Sequence, residues 1–238
     1  MWRVSDIAGC IADGIGSGDR ALIEEQSVLG LDARREIDLH PLIADSVGDL
    51  GLGVDREVLY PGEHTRAVRK SARARCDLVL LPELGQQLED PAQEQAVLAA
   101  SEGTLFAGVA HDMHAGEPTA VTVGAGEAYW LEVKAVAQHA YVDGVPAPNR
   151  AYATQIVKGV MDDVIKLASD PSIWHAGVLL LLFAENEAIA HHDLAAAAHA
   201  MLSDDVPIGT PEIAGTPIED RAGNAWCGVG LFPVRIGA

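Results

Sequence analysis

Apolar residues recur along the chain at spacings that predict helices in two segments. In both segments an apolar side chain returns every three or four residues, so that these side chains share one side of a helix. The two stripes are formed by Leu39, Ile43 and Val47 in the first segment and by Ile156, Val160, Val164 and Leu167 in the second. We therefore expect two amphipathic helices that bury these stripes against a common core.

Polar residues that favour helix starts refine the predicted helices. Asp19 and Asp32 are expected to be N-caps of two helical pieces in the N-terminal region, and Asn149 is expected to cap the later helix. The glycine-rich stretch "GIGSG" is predicted to be a flexible start of the first piece. A further helix is predicted over "IAHHDLAAAAHAMLSDD", and its histidines are expected to face solvent or a partner.

Short apolar runs bounded by turn residues predict the strands. They lie near 56–61, 75–82, 128–137 and 176–184, and we expect all four in one mixed sheet with helix 150–168 packed on one face. "AWCGVGLFPVRIG" is a final strand, and the Pro/Gly-rich "VPIGTPEIAGTPIEDRAGN" before it is predicted to be a loop. The alternation of strands and helices predicts a single α/β domain spanning 1–238, with a central sheet flanked by helices.

Composition and charge narrow the classes of protein that fit this pattern. Hydrophobic residues make up 49% of the chain, as in a folded globular protein, and the formal net charge is −19. Such acidity disfavours indiscriminate binding to nucleic acid or to an anionic membrane. The three cysteines are far apart, which favours a reducing compartment and excludes a zinc ribbon. With no signal-peptide pattern at the N-terminus, we expect a cytoplasmic protein.

Two oppositely charged residues on one predicted strand are the strongest indication of chemistry. In "YWLEVKAVA", Glu132 and Lys134 are separated by one residue, so both side chains point to the same face as Trp130. Asp77 lies at the start of another apolar strand, "RCDLVLLPE". If these strands are adjacent, the carboxylates of Asp77 and Glu132 can hold a hard cation such as Mg²⁺, with the carbonyl oxygen of Val133 as a third ligand.

A metal ion in this position suits the hydrolysis of a phosphodiester. It lowers the pKa of a bound water and neutralises charge on the phosphate. Lys134 would orient the attacking water or stabilise the pentavalent phosphorane. The alternative is an ordinary ion pair on the surface of a strand.

Asp77 followed by Glu132 and Lys134 resembles the Asp…Glu-x-Lys signature of the PD-(D/E)XK nuclease superfamily. The resemblance implies a restriction-endonuclease-like fold with an αβββαβ core over residues 20–185. It also implies Asp77 and Glu132 as metal ligands, Lys134 as the catalytic lysine, and a Mg²⁺- or Mn²⁺-dependent endonuclease acting in defence, restriction or repair. Because Glu132 follows Asp77 by 55 residues, residues 84–127 are expected to form an insertion.

Many members of that superfamily add a glutamate from the first helix. Glu25 and Glu36 both lie among apolar residues of predicted helices, and the alternative is that both are solvated.

A basic segment offers a surface for DNA despite the acidic chain. Residues 56–75 contain six of the sixteen basic residues, and five of them lead up to Asp77: Arg66, Arg69, Lys70, Arg73 and Arg75. We expect this segment to contact the phosphate backbone, unless it is only a solvated hairpin. The acidity of the rest of the chain favours help from a homodimer or a partner protein.

Two other functions remain open from the sequence. The first is a catalytically silent protein of nuclease fold that serves as a binding or assembly subunit. The second is a nitrilase-like amidohydrolase, since "DLVLLPE" and "LEVK" also resemble the Glu and Lys of that family, with Glu83 as base and Lys134 in support. That family needs a nucleophilic cysteine, and the only cysteine after Lys134 is Cys227. The spacing of His111 and His114 offers a metal site as a further alternative.

Overall fold

A computed structural model of the chain describes residues 2–62, 74–89 and 121–237. The helices are α1 (Val4–Glu24), α2 (Glu36–Gly48), α3 (Val160–Ala168) and α4 (Glu187–Ser203). A short 3₁₀ turn, Leu31–Ala33, precedes α2, while a helical turn Tyr152–Thr154 and a π-helical turn Gln155–Gly159 lead directly into α3. Within the described ranges, no helix combines the length and apolar character needed to cross a bilayer.

Ten strands are described. They are β1 (Gly53–Leu59), β2 (Arg75–Leu81), β3 (Gln87–Leu88), β4 (Thr122–Val123), β5 (Tyr129–Ala137), β6 (His139–Val142), β7 (Val145–Pro148), β8 (His175–Ala184), β9 (Glu212–Pro217) and β10 (Trp226–Pro233). Six of them form the central sheet in the order β1-β2-β5-β8-β10-β9, and the rest form two small pairs, β3 with β4 and β6 with β7.

The central sheet is mixed, and its one parallel pair explains where α3 lies. β5 and β8 run parallel, whereas all other neighbours in this sheet are antiparallel. Parallel neighbours need a crossover, and the chain between β5 and β8 supplies it through α3. In chain order the elements from α2 to β8 therefore include a helix, three antiparallel strands, the crossover helix and a fourth strand.

The hydrophobic core has two layers, one on each face of the sheet. β8 is buried on both faces: its Val178, Leu180 and Leu182 belong to the layer under α3 and α4. Its Leu179, Leu181 and Phe183 belong to the layer under α1 and α2. This run of aliphatic residues is typical of a strand covered by helices on both sides, and it makes β8 the centre of the fold.

The four predicted strands and the mixed sheet are confirmed, and helix 150–168 packs on one face of the sheet, as predicted. The helical stripes are buried as expected. The cap predicted at Asn149 is wrong, because the N-cap of this helical segment is Ala151, whose N–H donates to Asn149 Oδ1 at 3.0 Å. Of the expected insertion, residues 84–89 and 121–127 are described and contribute the β3–β4 pair, while 90–120 lie outside the described residues.

The predicted N-caps near the N-terminus are wrong. α1 begins at Val4, so "GIGSG" and Asp19 lie inside it. The glycines are inside the helix because of close packing: a Cβ at Gly16 would meet Thr216 of β9, and one at Gly18 would meet Leu42 of α2. Asp32 lies in the 3₁₀ turn, where its carboxylate accepts a hydrogen bond from Asn224 Nδ2 at 2.7 Å.

The Pro/Gly-rich segment before the last strand is not entirely a loop. Residues Glu212–Pro217 form β9 at the edge of the sheet and pair with β10. Proline and glycine weaken the strand pattern in sequence, but both are tolerated in an edge strand, which needs hydrogen bonds on one side only.

Asp19 instead stabilises the contact between α1 and the β9–β10 loop. Its side chain is buried, and it pairs with Arg221 Nη1 at 2.9 Å and accepts a hydrogen bond from the Glu219 N–H at 2.7 Å. Removal of one member of such a buried pair leaves an uncompensated charge, which is far more costly than removal of an exposed pair.

We therefore expect Arg221→Met to lower the free energy of unfolding by about 3 kcal/mol. The matched control is Arg35→Met, which removes an exposed ion pair with Asp38 and should leave the denaturation midpoint unchanged. Urea denaturation followed by circular dichroism measures both variants. Equal midpoints for the two variants would contradict a structural role for the Asp19–Arg221 pair.

Candidate functional site

The candidate site lies where β2 and β5 separate. The two strands pair from Leu80–Tyr129 to Leu78–Leu131, and no further pair follows. If the pairing continued, Asp77 would face Glu132. Past this point on β5, the N–H groups of Val133 and Ala135 lie on the side of β2, but no main-chain carbonyl of β2 accepts from them. Buried N–H groups need an acceptor, so side chains must supply one.

Two carboxylates supply these acceptors. The Val133 N–H donates to Asp77 Oδ2 at 2.8 Å, and the Ala135 N–H donates to Glu36 Oε2 at 3.3 Å. Glu36 is the first residue of α2, so the start of this helix is held against β5. The separation of the strands thereby brings acidic groups from β2, β5 and α2 to one place.

Glu132 is the most buried carboxyl group of the site. It is only 3% exposed. Its Oε1 accepts hydrogen bonds from Lys166 Nζ at 2.6 Å and from the Tyr60 hydroxyl. Lys166 also lies over the ring of Tyr60, 4.4 Å from its centroid. Burial raises the pKa of Glu132, and its interaction with Asp77 raises it further, although Lys166 and Tyr60 act in the opposite direction.

Asp77 and Glu132 behave as a coupled pair. Burial raises the pKa of Asp77 above its ordinary value, while its interaction with Glu132 and the hydrogen bond from the Val133 N–H oppose that rise. The negative charge of Asp77 in turn adds to the rise in the pKa of Glu132. Like charges this close favour retention of a proton or the binding of a cation.

Lys134 is held as a fixed positive charge. Its Nζ lies 2.9 Å from Asp163 Oδ2 and 3.4 Å from Glu36 Oε1, and it donates to the Val133 carbonyl at 2.9 Å. Burial acts to lower the pKa of Lys134, but the contact with Asp163 and the charges of Glu36 and Asp77 outweigh it, so the pKa is raised. The ammonium is therefore charged at neutral pH and suits electrostatic stabilisation rather than proton abstraction.

His40 and Glu57 extend the site on the other side of Asp77, and neither residue was predicted from the sequence. His40, on α2, has its Nε2 4.0 Å from Asp77 Oδ1 and its Nδ1 3.7 Å from Glu57 Oε1. Burial lowers the pKa of His40, which keeps the imidazole neutral at neutral pH. One ligand atom from each of these three residues lies within 4.8 Å of the other two. The only signal in the sequence is a histidine next to Leu39 in the buried stripe of α2.

Among the residues that the structure describes, the site carries an excess of acidic groups. Five carboxyl groups meet two lysine ammonium groups and one neutral imidazole. The carboxyl groups belong to Glu36, Glu57, Asp77, Glu132 and Asp163, and the lysines are Lys134 and Lys166. Partly buried oxygen ligands with excess negative charge favour divalent cations.

Other predicted residues lie elsewhere or outside the described ranges. Glu25 is exposed just beyond the end of α1, whereas Glu36 joins the site. From the basic segment, Arg75 is described, and it donates to the Glu57 carbonyl at 2.5 Å. Four of its other basic residues, Arg66, Arg69, Lys70 and Arg73, and both His111 and His114, lie outside the described residues.

The residues of the nitrilase-like hypothesis are not brought together. β2 and β5 are antiparallel, so Glu83, which follows β2, lies at the opposite end of β5 from Lys134. Cys227 is fully buried in the core layer under α1 and α2. The contacts of Lys134 are instead with Glu36, Asp163 and its neighbour Val133.

No protein-family model, curated protein or solved structure matches this chain.

The raised pKa values of Asp77 and Glu132 predict how stability depends on pH. Folding raises the pKa of Glu132 above its ordinary value of 4.5. The protonated carboxyl group therefore contributes fully to stability below pH 4.5, and this contribution is lost as the pH rises through the higher pKa of the folded state. Without divalent cations, we therefore expect the wild-type melting temperature to fall as the pH rises above 4.5. Glu132→Gln should remove much of this fall, because its amide needs no proton.

Thermal unfolding in EDTA at several pH values measures this effect. A gain of about 1 kcal/mol at pH 8 would appear as a rise of about 2–4 °C in the melting temperature. The control is Glu83→Gln, which changes an exposed carboxyl group outside the site. Identical pH profiles for wild type and Glu132→Gln would contradict the assignment of a destabilised carboxyl pair.

Proposed function

We propose that the chain is a metal-dependent nuclease that hydrolyses DNA phosphodiester bonds. The observation that carries the proposal is the meeting of Asp77, Glu132 and Lys134 at the point where β2 and β5 separate. Further support comes from the succession of α2, β1, β2, β5, α3 and β8, which follows the αβββαβ order of a restriction-endonuclease-like core. Glu36 reaches the same place from the first helix of that succession.

The donor atoms fit a hard divalent cation. Carboxylate oxygens of Asp77 and Glu132, with the Val133 carbonyl, are the ligand types that Mg²⁺ and Mn²⁺ prefer. Asp77, Glu132 and the Val133 carbonyl would hold such an ion, which would supply an activated water and neutralise charge on the scissile phosphate. A cation at Glu132 has to compete with Lys166, because that lysine holds the same oxygen at 2.6 Å.

The protein side chains have separate tasks in this proposal. Lys134 stabilises the negative charge that develops on the phosphorane, because its ammonium is already charged and held by Asp163 and Glu36. Burial raises the pKa of Tyr60 far above the ordinary value, so its hydroxyl stays protonated and keeps Glu132 oriented. Asp77 is oriented by the backbone of β5, through the N–H of Val133.

The proposed contact with DNA is made by the basic residues of segment 56–75. These include Arg66, Arg69, Lys70, Arg73 and Arg75, which lead directly to Asp77 in the chain. Because the net charge is −19, we propose that a homodimer or a partner protein assists binding.

A silent subunit of the same fold is the second candidate. Two observations favour it: the net charge of −19 opposes binding to a polyanion, and Glu132 is only 3% exposed and already paired with Lys166. A chain of this kind would bind a partner or nucleic acid without cutting it. The cleavage experiment separates the two candidates.

In that experiment, purified chain is incubated with supercoiled plasmid in Mn²⁺ or Mg²⁺, and nicked and linear products are measured. Lys134→Ala should lower the cleavage rate by about 100-fold or more, since it removes the charge that stabilises the phosphorane. Asp77→Asn should lower it at least as much. The matched controls are Lys158→Ala, in the π-helical turn before α3, and Asp162→Asn, in α3. Both residues are exposed, and both variants should cleave like wild type.

Equal cleavage by wild type and Lys134→Ala would place the activity in a contaminant or in another site. If the wild-type chain binds Mn²⁺ but, like the variants, does not cleave the plasmid, the silent subunit is favoured over the nuclease.

A second experiment tests the basic segment. Neutralising Arg69, Lys70 and Arg73 to Gln should weaken binding to duplex DNA and flatten its dependence on salt. Each lost phosphate contact removes about 0.9 from the slope of log K against log salt, so three lost contacts remove about 2.7. Arg20→Gln, Lys158→Gln and Arg235→Gln, combined in one variant, control for the same change in net charge. Fluorescence anisotropy at several salt concentrations in Ca²⁺ measures both variants, and an unchanged slope would exclude the segment as the DNA contact.

A further inference from the structure

We propose that His40, Glu57 and Asp77 form a second cation site, which binds a first-row transition-metal ion such as Mn²⁺ in preference to Mg²⁺ or Ca²⁺. The site shares Asp77 with the proposed nuclease centre, but it does not include Glu132 or Lys134. It therefore stands or falls independently of whether the chain cleaves DNA.

The imidazole of His40 is the observation that points to a ligand. The residue is 2% exposed, and its Nε2 is buried and has no hydrogen-bond partner in the part of the chain that the structure describes. Buried polar atoms are seldom left without a partner in folded proteins. The nearest acidic oxygen, Asp77 Oδ1, is 4.0 Å away, which is too far for a hydrogen bond. Two ligands that each lie about 2.1 Å from one ion are separated by about 3–4.2 Å, so this distance suits a shared cation.

The two carboxylates lie next to each other on β1 and β2. The pairs Arg56–Leu78 and Val58–Cys76 flank them, and Glu57 and Asp77 are the two residues left unpaired between these pairs. An oxygen of each lies within 4.8 Å of the other, so their negative charges repel, and a cation between them offsets that repulsion. Asp77 is already oriented for this purpose, because its Oδ2 accepts from the Val133 N–H while its Oδ1 faces His40.

The backbone of Glu57 has an unusual conformation for a residue in a strand. Its φ angle is 55°, in the left-handed region that residues other than glycine seldom adopt within a strand. Its side chain is 45% exposed, which leaves an approach for the ion from solvent. His40, by contrast, closes the site from the core side.

The ligand set determines the class of ion. One imidazole nitrogen with two carboxylates is a mixed nitrogen and oxygen set, and imidazole favours transition-metal ions. Mg²⁺ and Ca²⁺ prefer oxygen ligands throughout. The Asp77–Glu132 centre offers only oxygen ligands, so the two sites should differ in the ions that they select.

The test uses the full chain after removal of metals, with Mn²⁺ as the probe and no DNA. Isothermal titration measures the affinities for Mn²⁺ and Mg²⁺, and pulsed electron paramagnetic resonance detects whether a ¹⁴N nucleus is bound to Mn²⁺. Wild type should bind Mn²⁺ at least about tenfold more tightly than Mg²⁺, with ¹⁴N coupling. His40→Gln should abolish the coupling, and Glu57→Gln should weaken Mn²⁺ binding about tenfold or more.

Two control variants assign these effects to the site. His191→Gln changes an exposed histidine of α4 and should bind Mn²⁺ as wild type does. Glu132→Gln alters the other candidate centre and should keep the ¹⁴N coupling. Because Glu57 is half exposed, Glu57→Gln tests the proposal even if His40→Gln fails to fold.

Two outcomes would overturn the proposal: bound Mn²⁺ without ¹⁴N coupling in wild type, or unchanged Mn²⁺ affinity in Glu57→Gln. The outcomes also distinguish the second cation site from the proposed nuclease activity. Coupling without plasmid cleavage would contradict only the nuclease, and cleavage without coupling would contradict only the second cation site.

Discussion

The backbone N–H groups of Val133 and Ala135 have to find acceptors where β5 leaves β2, and the candidate site follows from that requirement. A buried N–H without a partner is costly, so the chain supplies the carboxylates of Asp77 and Glu36 as acceptors. Each of these carboxylates has a second oxygen that remains available for other contacts. The same groups therefore complete the sheet and create an acidic centre.

The concentration of acidic groups at this point is balanced only in part. Lys134 and Lys166 each pair with carboxylates, yet burial still raises the pKa values of Asp77 and Glu132. A centre of this kind is less stable than a wholly apolar core would be, and it gains stability when a proton or a cation arrives. Such local cost is typical of sites that have been kept for binding or catalysis.

α2 links the site to the rest of the fold. Its apolar stripe packs into the core layer on one face of the sheet, and this packing determines where Glu36 and His40 lie. The two residues are four positions apart, so both face the same side of the helix. Glu36 contacts Lys134, and His40 faces Asp77. A small shift of α2 would therefore change both the position of Lys134 and the geometry of the proposed second cation site.

The periodicity of the sequence determined the strands and the direction of their side chains, which is why Asp77, Glu132 and Lys134 could be predicted as a group. It did not determine the partners of isolated polar residues. Asp19 has the residue type of a helix cap, yet it pairs with Arg221 from the far end of the chain. Likewise His40 and Glu57 meet Asp77 only because α2, β1 and β2 pack together. Spacing along a strand or helix fixes which way a side chain points, whereas the distance between side chains on different elements depends on packing, which only the tertiary structure decides.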